Sequence, residues 1–145
     1  MNYPSSASRS MLAIIMTWYI TIRSNDRYSL SIDTPSILAF LLSIPALQQT
    51  GDMQFRNTIG LPSLVVMLEK CSHRGGYGSN GEYIPVINII ELICYEYEKP
   101  EWYENLATQI AKFLGWEAWE DDEERQICDR SQIQKGEWII SIHID

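Results

Sequence analysis

From Val86 to Tyr97 the chain reads VINIIELICYEY, its densest run of β-branched and apolar side chains. A segment this apolar has to run through the middle of a sheet, because an edge would leave it open to water and to other chains. Directly after it, Trp102, Tyr103, Leu106, Ala107, Ile110, Phe113 and Leu114 recur at helical spacing between Pro100 and Leu114. Glu101 and Glu104 near the start, Lys112 in the last turn and Gly115 just beyond suit the helix dipole and a left-handed cap. A buried strand followed by a one-sided helix requires more strands beside it and a helical layer above it.

Those other elements are legible in part. Trp18, Ile20 and Ile22 alternate with Thr17, Tyr19, Thr21 and Arg23, the pattern of a half-buried strand. Ser24 to Arg27 reads as a turn and Tyr28 to Ile32 as a short strand. Asp33-Thr34-Pro35 opens a helix with a capping oxygen and then a proline, and Ile37, Leu38, Leu41, Leu42 and Ile44 supply its stripe before Pro45 ends it. Met53 to Arg56, Leu61 to Glu69 and Trp116 to Trp119 read as strands. The order predicts an α+β fold: a two-layer, mostly antiparallel sheet with two helices on one face. Its expected topology is ferredoxin-like, a split βαβ.

Residues 1–15 are expected to be a disordered extension, or to precede a true start at Met16, and residues 16–124 to form the single domain. The apolar stretch after Arg9 has no small-residue cleavage site behind it, so a strand in a cytoplasmic protein is preferred to a signal peptide. Residues 125–145 read as a tail with a strand at 137–144, where Trp138, Ile140, Ile142 and Ile144 line one face. A strand that apolar needs a partner, so it is expected to join the sheet or to form a homodimer.

Several function classes are set aside. The chain has 19 acidic against 11 basic residues among 145, a net −8, which disfavours a protein that tracks nucleic-acid phosphates. No apolar run approaches the roughly 20 residues of a membrane span. Cys71, Cys94 and Cys128 form no C-x-x-C pair and read as free, buried thiols. Cys71 and His73 are two apart, but Cys128 and His143 are distant singles, so no metal site is expected. Gly76-Tyr77-Gly78-Ser79-Asn80-Gly81 has the dinucleotide spelling, yet Pro85 and a β-branched run follow where a phosphate-holding helix is needed. It reads as a hairpin loop, and no cofactor is expected.

Two sites remain. Residues 1–90 carry six basic and five acidic side chains, whereas residues 91–124 carry eleven acidic and two basic. Glu117, Glu120, Asp121, Asp122, Glu123 and Glu124 form a run with Trp116 and Trp119 beside it. Charge of one sign gives steering and aromatic rings give anchorage, the two things a surface for a basic protein partner needs. Small acidic single-domain proteins of this balance resemble the immunity proteins that neutralise bacterial toxins, many of them basic nucleases. That resemblance implies a non-enzymatic binding module. The other candidate is a small-molecule or enzymatic pocket over the sheet. Tyr19, Arg23, His73, Asn88 and Glu91 would converge there, with Glu91 as general acid or base. Set against it is a plain structural role, in which Glu91 pairs with Arg23 or Arg56 or lies on a wet sheet face.

Overall fold

The computed structural model describes residues 17–72, 81–121 and 124–129. Along the chain lie β1 (Trp18–Arg23), β2 (Ile32–Asp33), α1 (Thr34–Leu42), β3 (Leu47–Gly51), β4 (Gln54–Asn57) and β5 (Leu64–Glu69). They are followed by β6 (Val86–Ile87), β7 (Ile89–Cys94), α2 (Pro100–Leu114), β8 (Glu117–Glu120) and β9 (Arg125–Cys128). Seven strands form one antiparallel sheet in the order β3-β4-β5-β7-β1-β8-β9, and β2 pairs with β6 separately. The most apolar strand, β7, is the middle one, as its composition requires.

Both helices cover the same face. Ile20, Ile22, Phe55, Leu64, Val66, Leu68, Ile90, Leu92 and Cys94 point from the strands into one core with Ile37 and Leu41 of α1 and Tyr103, Leu106 and Ile110 of α2. The helices meet where Phe40 stacks on Phe113, ring centroids 4.0 Å apart. Helix α1 starts at Asp33, whose carboxylate accepts from the Ser36 N–H and hydroxyl. Helix α2 ends at Gly115 with φ 71°, and the cap N–H reaches the Ala111 and Lys112 carbonyls. The Tyr103 hydroxyl ties α2 to the sheet: it donates to the Ser63 carbonyl at 2.6 Å and accepts from the Glu96 N–H at 3.2 Å.

The α+β class and the antiparallel sheet with two helices are as expected; the sheet order departs from a plain ferredoxin-like one. The sheet is wider than four strands, with the β3–β4 hairpin added at one edge and β9 at the other. Strand β3 reads LQQTG and is exposed beyond Leu47, so it has no apolar period to announce it. Strand β9 lies past residue 124, yet it pairs with β8 and buries Cys128 in the core. The Tyr28–Ile32 strand shrinks to Ile32–Asp33, and Tyr28 itself has φ 53°. The 86–97 run breaks at Asn88 into β6 and β7, so Ile87 joins the core while Ile89 and Glu91 face the opposite way. The strand expected at 137–144 and the extension at 1–15 lie outside the described residues.

Candidate functional site

The face of the sheet turned away from the helices carries Tyr19, Thr21 and Arg23 from β1, Ile89, Glu91 and Ile93 from β7, and Glu117 and Trp119 from β8. Register sets their order. Thr21 lies between Glu91 and Trp119, and Arg23 between Ile89 and Glu117. One end of this face is concave. A cavity of about 590 Å³ is lined by Thr21, Arg23, Tyr28, Ile89, Glu91, Trp119, Glu120, Asp121 and Glu124.

Local chemistry builds each wall. After β1 the chain turns at Asn25, whose side-chain oxygen accepts from the N–H groups of Arg27 and Ser29. The turn brings Tyr28 over the sheet, where its ring lies 5.8 Å from the Arg23 guanidinium carbon. Trp119 approaches the same guanidinium, also at 5.8 Å, a separation at which a cation is drawn to a ring face. Arg23 Nε lies 3.7 Å from a Glu117 carboxylate oxygen. Thr21 donates to the Asp121 carboxylate at 2.7 Å, and the Asp121 N–H donates to the Tyr19 carbonyl at 3.0 Å. That pair fixes the turn from which Glu124 reaches the cavity.

Two features mark this end as unusual. Tyr28 and Glu124 are the non-glycine residues with left-handed backbone among those described, and both line the cavity. That conformation costs roughly 1 kcal/mol or more and persists where the surroundings enforce it. Arg23 Nε and Trp119 Nε1 are buried donors with no hydrogen-bond acceptor among the described residues. An unsatisfied buried donor is rare enough to need a reason.

The two expected sites therefore meet in one place. Arg23 and Glu91 line the same cavity as Trp119, Glu120, Asp121 and Glu124, and Glu117 adjoins it through Arg23. Tyr19 shares the open face but lies beyond the cavity. Asn88 is placed otherwise: its side chain accepts from the Cys71 N–H at 2.6 Å and donates to the Cys71 carbonyl at 2.7 Å, bracing two strand ends. Trp116 is 2% exposed within the helix-side core, so it offers no anchor at the surface. Glu120 is 8% exposed, so most of the acidic display rests on its neighbours. His73, Asp122 and Glu123 lie outside the described residues.

The lining residues that sequence reasoning passed over are Thr21, Ile89 and, least legible of the three, Tyr28. Its place depends on a turn and a positive φ, which the strand-like composition of YSLSI conceals. The three thiols are free and buried, and burial pushes those of Cys71 and Cys94 up. Among the described residues no three His, Cys, Asp or Glu side chains group as a metal would need, and no helix is long and apolar enough to cross a membrane. The chain matches no family model, and no curated protein or solved structure matches it.

Proposed function

We propose that this chain is a non-enzymatic binding module whose concave, acidic end of the open sheet face receives a basic side chain from a protein partner. The observation that carries the reading is convergence. Carboxylates from two separated stretches, Glu91 in β7 and Asp121 and Glu124 at the β8–β9 turn, stand around Trp119 in a single cavity. Glu91, Asp121 and Glu124 outnumber Arg23 among the charged lining residues, and low-dielectric walls focus such a field on an incoming cation. The rings of Trp119 and Tyr28 add contact area of the kind that anchors interfaces. On this reading the chain is an immunity-type protein that neutralises a basic toxin partner in the cytoplasm. Its β5-β7-β1-β8 strands with α1 and α2 are then a split βαβ core, ferredoxin-like, widened at both edges.

The test is a pull-down from the native host with stepwise salt elution, run beside an Asp121→Lys/Glu124→Lys variant. Both side chains are exposed, so the exchange disturbs the fold less than a change at Glu120 or Trp116; it removes the Thr21–Asp121 hydrogen bond, and a thermal melt checks that the variant is folded. The expected result is a stoichiometric basic protein released as salt rises and absent from the variant. Equal capture by the variant contradicts the reading.

One observation favours a second reading, a small-molecule site over the sheet. Two residues that line the cavity each hold a buried donor, Arg23 Nε and Trp119 Nε1, that finds no hydrogen-bond acceptor in the described chain. A ligand oxygen would satisfy them once the two side chains turn toward the cavity.

A further inference from the structure

We propose that the open sheet face pairs with the same face of a second copy of this chain, about a twofold axis that lies between the two faces and runs along β7. The inference comes from one row of side chains across the sheet. Strand register sets Arg56 beside Val65, Val65 beside Ile93 and Ile93 beside Tyr19. Asp121 continues the row, since its N–H donates to the Tyr19 carbonyl. The sequence neighbours Phe55, Leu64, Val66, Leu92, Cys94, Trp18 and Ile20 all belong to the helix-side core, so by alternation the row faces the other way.

Read from β4 to β8, the row is basic, three apolar residues, acidic. Arg56 and Asp121 are exposed, Tyr19 is 38% exposed and Ile93 is partly open, while Val65 between Arg56 and Ile93 is 7% exposed. The two charges stand about 19 Å apart, four strand spacings. A row of this kind complements itself only when reversed. Rotation about an axis along β7 lays Arg56 of each copy against Asp121 of the other, Val65 against Tyr19, and Ile93 against Ile93. Rotation about an axis across the strands would lay Arg56 on Arg56 instead. The charges thus select the axis as well as the face. Asp121 already accepts from Thr21, and a carboxylate has capacity left for an arginine.

The same rotation has a cost of known sign. Two residues along β7 from Ile93, Glu91 of one copy faces Glu91 of the other. Sheets packed face to face lie about 10 Å apart, so water in the cavity weakens this repulsion without removing it. The proposal does not rest on the basic-partner reading. Both use Asp121, so a basic partner and a second copy compete for that carboxylate.

Sedimentation velocity on the full chain over a dilution series tests it, with thermal melts confirming that each variant is folded. Wild type should dimerise reversibly, and Arg56→Glu or Asp121→Arg alone should weaken the dimer about tenfold or more. The Arg56→Glu/Asp121→Arg double variant should recover the lost affinity, and Glu91→Gln should tighten the dimer severalfold. If Asp121→Arg fails to fold without its Thr21 bond, Arg56→Glu and Glu91→Gln decide the matter, because Arg56 is exposed and glutamine keeps the shape of glutamate. A chain that stays monomeric at millimolar concentration overturns the proposal; its open face would then be covered from within or kept for another protein. A dimer indifferent to Arg56→Glu, or weakened by Glu91→Gln, overturns it equally.

Discussion

At the scale of single residues, the polar groups inside the fold do more to fix its geometry than to do chemistry. Asn88 holds both main-chain groups of Cys71, so Asn88→Ala leaves a buried N–H and a buried carbonyl without partners. The expected loss is about 3 kcal/mol in a denaturant titration, since each orphaned group costs roughly 1–3 kcal/mol. Tyr103 behaves similarly at the other end of the sheet. Burial, with Glu96 nearby, lifts its phenol from the ordinary 10.0 to about 12. The group is therefore protonated more readily folded than unfolded. Its contribution is complete below pH 10 and is lost as pH rises through about 12. Tyr103→Phe should lower stability by about 1–2 kcal/mol near neutrality and flatten the alkaline fall, which pH-dependent melts would show. Asn88 was expected in a strand and lies at its break, because periodicity cannot register a side chain whose value is to bond the backbone. Trp116 and Trp119 are three residues apart with similar neighbours, and only the strand's alternation about Gly115 sends one inward and the other to the cavity.

At the scale of elements, what the sequence makes legible is whatever has one wet face and one dry one. Helix α2 shows this most plainly. Its charged ends and Gly115 agree with the structure, and so does the stripe through Tyr103, Leu106, Ala107 and Ile110, although Phe113 is 46% exposed and Ala111 is buried in its stead; Gly115 takes φ 71° with open space around the position of a side chain. Gly115→Ala should therefore cost about 1 kcal/mol by backbone strain alone, with no packing loss, in an equilibrium unfolding experiment. Helix α1 was equally plain, from Asp33 through Pro35 to Ser43. The edge strands β3 and β9 were not, because an edge strand with most side chains in water has no period to detect. Tyr28 sits in a turn made by Asn25, and its left-handed backbone has no compositional sign in a tyrosine. Since an Asn or Gly relieves that strain, Tyr28→Gly should leave stability nearly unchanged. It should also cost the cavity one of its two rings, visible as weaker cation binding.

At the scale of the whole molecule, charge is the property that connects sequence to use. The excess of acid in residues 91–124 was plain in the sequence. Its gathering around Glu91 was not, because it depends on β1 lying between β7 and β8. One consequence is that the pocket and the acidic surface, two separate expectations, became one place. The central claim is that this place binds cations, and it can be tested without knowing the partner. The measurement is a nuclear magnetic resonance titration of the ¹⁵N-labelled chain with acetyl-arginine amide, with acetyl-glutamate amide as the control. The account predicts that the arginine compound shifts the Trp119 indole and the Thr21, Glu91 and Asp121 amides together, that added salt weakens the effect, and that the glutamate compound leaves them unmoved. Equal shifts from both compounds, or shifts that avoid Trp119, would contradict it.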